Sequence, residues 1–207
     1  LIFMGSKYSY FLMLFFFVPI SLETRTILTL WLKIVPDYAV VFTQLTLMST
    51  MCMMLGNTLV TAIQATGQIR KYSLVMGLMA LSNFPLTWIA FALDASPVWA
   101  YIIYLAIFFC MIFVRLHMAK EKVRLSAWDY TSNVLLKAFW VTVIAFVAPA
   151  AICFLQPDSF LRLVEVCGVS VVCSLVAIYV AGMNEFERNY VKGIISKRFP
   201  GLAKLYR

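Results

Sequence analysis

The residues that could carry chemistry in this chain are few and widely spaced. His117 is the only histidine, and it stands beside Arg115 and Lys120 rather than beside a nucleophile. Asp94, Asp158 and Glu165 occur singly at the edges of apolar runs, so no carboxylate pair is set up for general acid–base work. Five cysteines, Cys52, Cys110, Cys153, Cys167 and Cys173, lie inside apolar stretches with no C-x-x-C pair and no Cys/His cluster at metal-ligand spacing. They read as small buried apolar residues. No glycine-rich phosphate loop of the G-x-x-x-x-G-K-[ST] kind is present. Neither enzymatic activity nor a metal or other cofactor is expected of this chain.

Two polar features remain. Thr43, Thr46, Thr50, Asn57, Thr61 and Gln64 recur at intervals of three, four and seven, which places them on one face of a helix. At about 20° of drift per heptad that stripe turns only about 60° from end to end. It serves either as hydrogen-bonding groups for neighbouring helices or as the wall of a water-filled path. The second feature follows at once: AIQATGQIRKY (Ala62–Tyr72) brings Gly67 and the adjacent charges Arg70 and Lys71 between two apolar runs. The pair either anchors a loop or meets an anion.

The elements that must position these groups follow from composition. Of 207 residues, 63% are hydrophobic and 13% charged, with a mean hydropathy of +0.92. Soluble domains carry roughly 25% charged residues, so the expected class is an all-α integral membrane protein. Six spans are read, at about 8–22, 38–65, 72–93, 97–114, 138–155 and 162–181, all helical because lipid-facing backbone must satisfy its own hydrogen bonds. The alternating ten-residue pattern of a membrane barrel is missing. The second span, about 42 Å long at 1.5 Å per residue, must tilt or protrude.

With this topology, 14 of the 17 Lys and Arg residues fall on one side of the membrane, and only Arg25, Lys33 and Arg162 on the other. The basic side is expected to be cytoplasmic, with both ends of the chain there. Attraction to anionic lipid headgroups accounts for the net charge of +8 without nucleic acid.

Several local features refine the picture. Pro85, in Asn83-Phe84-Pro85, should kink the third span and free the Leu81 carbonyl, a candidate hinge. Ser170, Ser174, Ala177 and Ala181 form a small-residue stripe suited to close helix packing. Thr26 to Lys33 is apolar but too short to cross, and is expected at the interface with Trp31 at headgroup depth. Residues 184–207 mix apolar and basic side chains and are expected to form a basic amphipathic cytoplasmic tail broken at Pro200-Gly201. The sequence opens on Leu1 in mid-pattern, which reads as a fragment of a longer protein.

Gly5–Tyr38, with Ile27-Leu28-x-Leu30-Trp31-Leu32 followed by Pro36-x-Tyr38, then Gln64-Ala65-Thr66-Gly67 followed by Ile69-Arg70-Lys71-Tyr72, and then LSNFPLTW, resembles the carboxyl-terminal part of bacterial polysaccharide flippases. Those Wzx-like exporters belong to the multidrug/oligosaccharidyl-lipid/polysaccharide superfamily, with MATE transporters and the lipid II flippase MurJ. The resemblance covers nearly the whole chain. It implies a protein of 12 or 14 helices in two lobes around a central cavity, of which this chain supplies about the last six, paired with an amino-terminal lobe. It also implies the bacterial inner membrane and an undecaprenyl-diphosphate-linked oligosaccharide as substrate, flipped to the periplasmic leaflet by alternating access. On that reading Arg70 and Lys71 stand at the cytoplasmic entrance, Asn57, Thr61 and Gln64 in the polar face, and Arg25 at the periplasmic exit. No Lys or Arg lies near the centre of a span, which departs from the family's cationic cavity. A MATE-type drug/cation antiporter and a membrane enzyme of polysaccharide assembly stay open, although the spans supply neither a central acid nor a catalytic histidine pair.

Overall fold

A computed structural model describes residues 2–67, 69–123 and 126–189. Among the described residues there is no strand, and six helical segments are long and apolar enough to cross a membrane. The first is α1 (Ile2–Leu22), joined through Glu23 to the nine-residue α2 (Thr24–Leu32). At about 13 Å, α2 is too short to cross a bilayer, and it leaves Leu30 and Trp31 exposed. Helix α3 (Ala39–Ala65) is 27 residues long and ends where Gly67 takes φ 73°, its N–H bonded to the Gln64 carbonyl at 3.0 Å. Only glycine adopts that left-handed turn without strain.

The third crossing is two helices, α4 (Ile69–Leu81) and α5 (Asn83–Ala92). The break falls at Ser82, so Pro85 sits in the first turn of α5, where its missing N–H breaks no bond of an established helix. Ser82 caps the end of α4 through its own hydroxyl, which donates to the Met79 carbonyl at 2.6 Å. Ser82 keeps helical dihedrals, φ −63° and ψ −18°, and the Ser82–Leu78 and Leu86–Ser82 backbone bonds remain, so the crossing bends with a local break in its bonding three residues before the proline. Beyond Asp94, which turns with φ 57°, α6 (Val98–Val123) runs back. The short α7 (Ala127–Tyr130) continues through a π-helical turn (Thr131–Leu135) into α8 (Leu136–Leu155). Helix α9 (Phe160–Ala177) ends in a second π-helical turn, Ile178–Gly182.

Five of these crossings extend past the apolar cores that mark them in the sequence, chiefly at the basic end. Lys7 lies inside α1, Arg115 to Glu121 lie inside α6, and the fifth segment begins at Ala127 rather than near Ala138. Charged turns add length outside the hydrocarbon without breaking the backbone ladder. Most of the expected carboxyl-terminal tail, from residue 190 onward, lies outside the described residues.

Packing fixes the directions. Gln44 of α3 donates to the Ser21 carbonyl of α1 at 2.9 Å, while a Cβ on Gly5 would stand 3.0 Å from Thr58 Cγ2, so α1 and α3 are antiparallel. Phe42 stacks on Tyr101 with centroids 4.3 Å apart, and Gly56 faces Arg115 fourteen residues on in each helix, so α3 and α6 are parallel. One core joins Phe11, Leu14 and Val18 of α1 to Met51, Val141 and Ala177. A second joins Leu59 and Ile63 of α3 to Tyr72, Leu116, Tyr130 and Val134. Helix α3 belongs to both. The small-residue stripe of α9 is packed as expected, with Ser170, Ser174 and Ala177 fully buried.

At the end of that stripe Gly182 meets the ring of Phe11. A Cβ there would lie 2.7 Å from Phe11 Cζ and 3.2 Å from Val141 Cγ2, both in the packed interior. Gly182→Ala is therefore expected to cost about 1–3 kcal/mol through overpacking. Gly77→Ala, on an open helical face, should be neutral or slightly stabilising. Thermal unfolding of the two variants in the same detergent checks the contrast.

Candidate functional site

The polar stripe of α3 faces away from this bundle. Asn57, Thr61 and Gln64 are exposed, as is Thr46, while the opposite face carries the buried Gly56, Leu59 and Ile63. The threonines do not bond to other helices. Thr43, Thr46, Thr50 and Thr61 each donate to the carbonyl four residues back, at 2.8, 2.8, 2.9 and 3.2 Å. Asn57 reaches only the Met54 thioether, at 3.8 Å. Of the two sequence readings of the stripe, hydrogen bonding to neighbouring helices does not occur among the described residues. A hydroxyl bonded backward keeps its lone pairs for a further partner, and the Asn and Gln amides keep both donor and acceptor capacity.

The other expected site residues are divided between the two ends of the bundle. Arg70 and Lys71 are exposed in the first turn of α4, just beyond the turn that closes α3, so they follow directly on Gln64. Lys71 Nζ lies 4.0 Å from Glu121 of α6, which also receives His117 at 3.3 Å. These are solvent-exposed pairs that contribute little beyond positioning. Arg25 is exposed on α2 at the opposite end of α3, about 40 Å away along a 27-residue helix. Asn57, Thr61, Gln64, Arg70 and Lys71 thus share one half of the bundle, and Arg25 does not join them.

Two buried ion pairs were not anticipated from the sequence. Glu23, with its side chain fully buried, receives Arg162 in a bidentate pair, Nε to Oε1 at 2.6 Å and Nη2 to Oε2 at 3.0 Å. Thr26 donates to the same carboxylate at 2.5 Å, and the Arg162 guanidinium also reaches Asp158 at 2.7 Å and the Gln156 carbonyl at 2.9 Å. Arg162 therefore bonds across the bundle to α1 rather than to Glu165, which instead accepts from Gln156 at 2.9 Å. At the other end of α1, Lys7 donates to both oxygens of Glu187 at 2.9 and 2.8 Å and to the Gly182 carbonyl at 3.3 Å. Both partners are almost wholly buried, and the Asn184 N–H completes the carboxylate at 2.8 Å. A cleft of about 620 Å³ opens beside this pair, lined by Phe3, Asn133, Asn184 and Phe186 among others. A second, largely apolar groove of about 530 Å³ runs between Met48, Met51, Phe109 and Phe146. Topology carried the missing signal: Glu23 and Arg162 flank the first and sixth spans at one face of the bundle, and Lys7 and Glu187 flank the same two spans at the other, basic face.

Among the described residues no group of His, Cys, Asp and Glu is arranged to hold a metal ion. Comparison of this chain with protein-family models, with curated proteins and with solved structures finds no match.

The Glu23 pair gives a pH dependence with a definite sign. Burial alone pushes the Glu23 carboxyl up, but the hydrogen bond from Arg162, the one from Thr26 and the Arg162 charge outweigh it and leave the group below the usual carboxylate range. A depressed acid contributes stability at pH values above its unfolded pKa and loses it as pH falls through the folded one. Wild-type protein should therefore hold its Glu23 contribution at neutral pH and lose it below about pH 4.5, the ordinary value for the group. Arg162→Gln should cost about 3–5 kcal/mol at neutral pH by stranding the carboxylate. Combining it with Glu23→Gln should recover most of that loss. Unfolding midpoints of the three variants against pH test both statements.

Proposed function

We propose that this chain is part of a transporter that carries an undecaprenyl-diphosphate-linked oligosaccharide from the cytoplasmic to the periplasmic leaflet of a bacterial inner membrane by alternating access. The observation that carries the reading is the polar face of α3, half-buried at Thr43 and Thr50 and exposed at Thr46, Asn57, Thr61 and Gln64, where no helix among the described residues covers it. A lipid-facing helix has little use for such a face: the threonines are satisfied by their own backbone, but the Asn57 and Gln64 amides cost free energy in hydrocarbon unless water, another helix or a polar ligand meets them. Sugar hydroxyls fit it: they donate to the free lone pairs of the threonines and both donate to and accept from Asn57 and Gln64.

The resemblance noted in the sequence supplies the substrate class. Arg70 and Lys71, at the basic end of the same face, suit a diphosphate at the cytoplasmic entrance. Arg25 has the corresponding place at the far end. The interruption at Ser82, ahead of Pro85, gives the third crossing a point about which its two halves can reorient. The antiporter reading has less support. It needs an unpaired acid inside the bundle, and the two buried acids of the described residues, Glu23 and Glu187, are each held by a buried cation.

Two measurements test the proposal. In a strain that builds a lipid-linked surface glycan, loss of the full-length gene should strand repeat units on undecaprenyl diphosphate in the inner leaflet, and a wild-type copy should restore export. A surface glycan unchanged by the deletion overturns the substrate assignment. For the face itself, Thr50→Cys, Asn57→Cys and Thr61→Cys in a cysteine-free full-length protein should react with a membrane-impermeant thiol reagent in native membranes. If Arg70→Cys labels and those three do not, the face is not lined by water.

A further inference from the structure

One buried charge in this bundle lacks an opposite. Arg115 of α6 is 9% exposed, and its Nε makes no hydrogen bond. All nine Asp and Glu residues of the chain are among the described residues, and none lies within ion-pair distance of Arg115. No acidic side chain of this sequence neutralises it. A guanidinium out of water without an anion is strongly unfavourable, in contrast to Lys7 and Arg162, which each have one.

The surroundings of Arg115 are shaped for it. The guanidinium lies across α3 at Gly56, where an added Cβ would overlap Nη1 and stand 3.0 Å from Cδ. Beside it the Ser6 hydroxyl of α1 is fully buried, with the Tyr130 hydroxyl in hydrogen-bonding reach. Arg115 lies within electrostatic reach of the same Tyr130 hydroxyl, whose own proton goes to the Leu55 carbonyl. Tyr130 thus offers Ser6 an oxygen but brings no charge to Arg115, and an incoming ligand would meet the guanidinium and a hydroxyl that can turn toward it. Gly56 lies about 100° around α3 from Asn57, on the packed side, so this site is not part of the uncovered polar face.

We propose that Arg115 and Ser6 bind one phosphate group, that of an anionic phospholipid headgroup lodged between α1, α3 and α6. Guanidinium presents a planar fork that matches phosphate oxygens. Arg115 directly follows the uncharged run Val98–Val114, which puts it at headgroup level on the side that carries Lys7, Arg70, Lys71, Lys120 and Lys137. Basic pockets between membrane helices on that side bind anionic headgroups. The inference does not rest on the transport reading, because it concerns a resident lipid on the packed side of α3.

The test uses full-length protein in a phosphate-free maltoside detergent, with thermal unfolding and native mass spectrometry as readouts. Phosphatidylglycerol should raise the midpoint and remain bound to wild type, and diacylglycerol with the same acyl chains should do neither. Arg115→Gln should weaken phosphatidylglycerol binding about tenfold or more, the change expected from losing a charge-assisted hydrogen bond. Lys120→Gln, an exposed charge on the same helix, should leave binding close to wild type. If Arg115→Gln fails to fold, Ser6→Ala and Arg115→Lys take its place, each with weaker binding expected. Competition by inorganic phosphate alone upholds the phosphate site and names free anion as a second source, and its absence assigns the site to the headgroup. Equal binding by wild type and the Arg115 and Ser6 variants overturns the proposal. So does a wild type indifferent to lipid and phosphate alike, which would leave Arg115 to a carboxylate from another polypeptide.

Discussion

A charge taken out of water must find its opposite, and that rule organises this bundle more than any apolar contact does. A buried ion stands near each end of α1, Lys7 within it and Glu23 just beyond it, and α9 and the segment after its π-helical turn bring the opposite ions, Arg162 and Glu187. Apolar side chains slide past one another at little cost in a hydrocarbon surrounding, since lipid is as good a neighbour as leucine. Ion pairs do not slide. The two pairs set the register of α1 against α9, and the close seat of Gly182 on Phe11 follows from that register.

Helix α3 is the counterpart of this clamp. One side is shared between both apolar cores, and the other presents hydroxyls and amides to whatever lies outside the bundle. Hydroxyls bonded to their own backbone cost the helix little and hold their rotamers, so the face is preorganised without help from a neighbouring helix. The basic pair at Arg70 and Lys71 is tied to this face by chain continuity alone, through the Gly67 turn.

Much of this was legible in the sequence, and the reason differs from element to element. The spans were readable because apolar length in a membrane protein is set by bilayer thickness, a constraint written locally in the chain. The turn at Gly67 and the small-residue face of α9 were readable for the same reason, each being a local requirement of backbone or packing. The helix ends were not, since Lys7 and Arg115 look like loop charges until a partner or a glycine seat is seen beside them. The break in the third crossing was expected at the proline and fell at Ser82, because a proline disturbs the turn before it. The ion pairs escaped because they join positions 139 and 180 residues apart. Only the topology, with the first and last spans meeting at both ends, connects them.

That separation bears on how the protein comes to be made. When α1 leaves the ribosome, its lysine and the glutamate beyond it have no counter-ions, because the partners belong to α9 and the segment after it. Helix α1 can settle against α3 as soon as that helix is made. Its two buried charges must stay hydrated, or be held by the insertion machinery, until α9 and the segment after it arrive. The order of synthesis and the order of neutralisation are therefore far apart for this one helix.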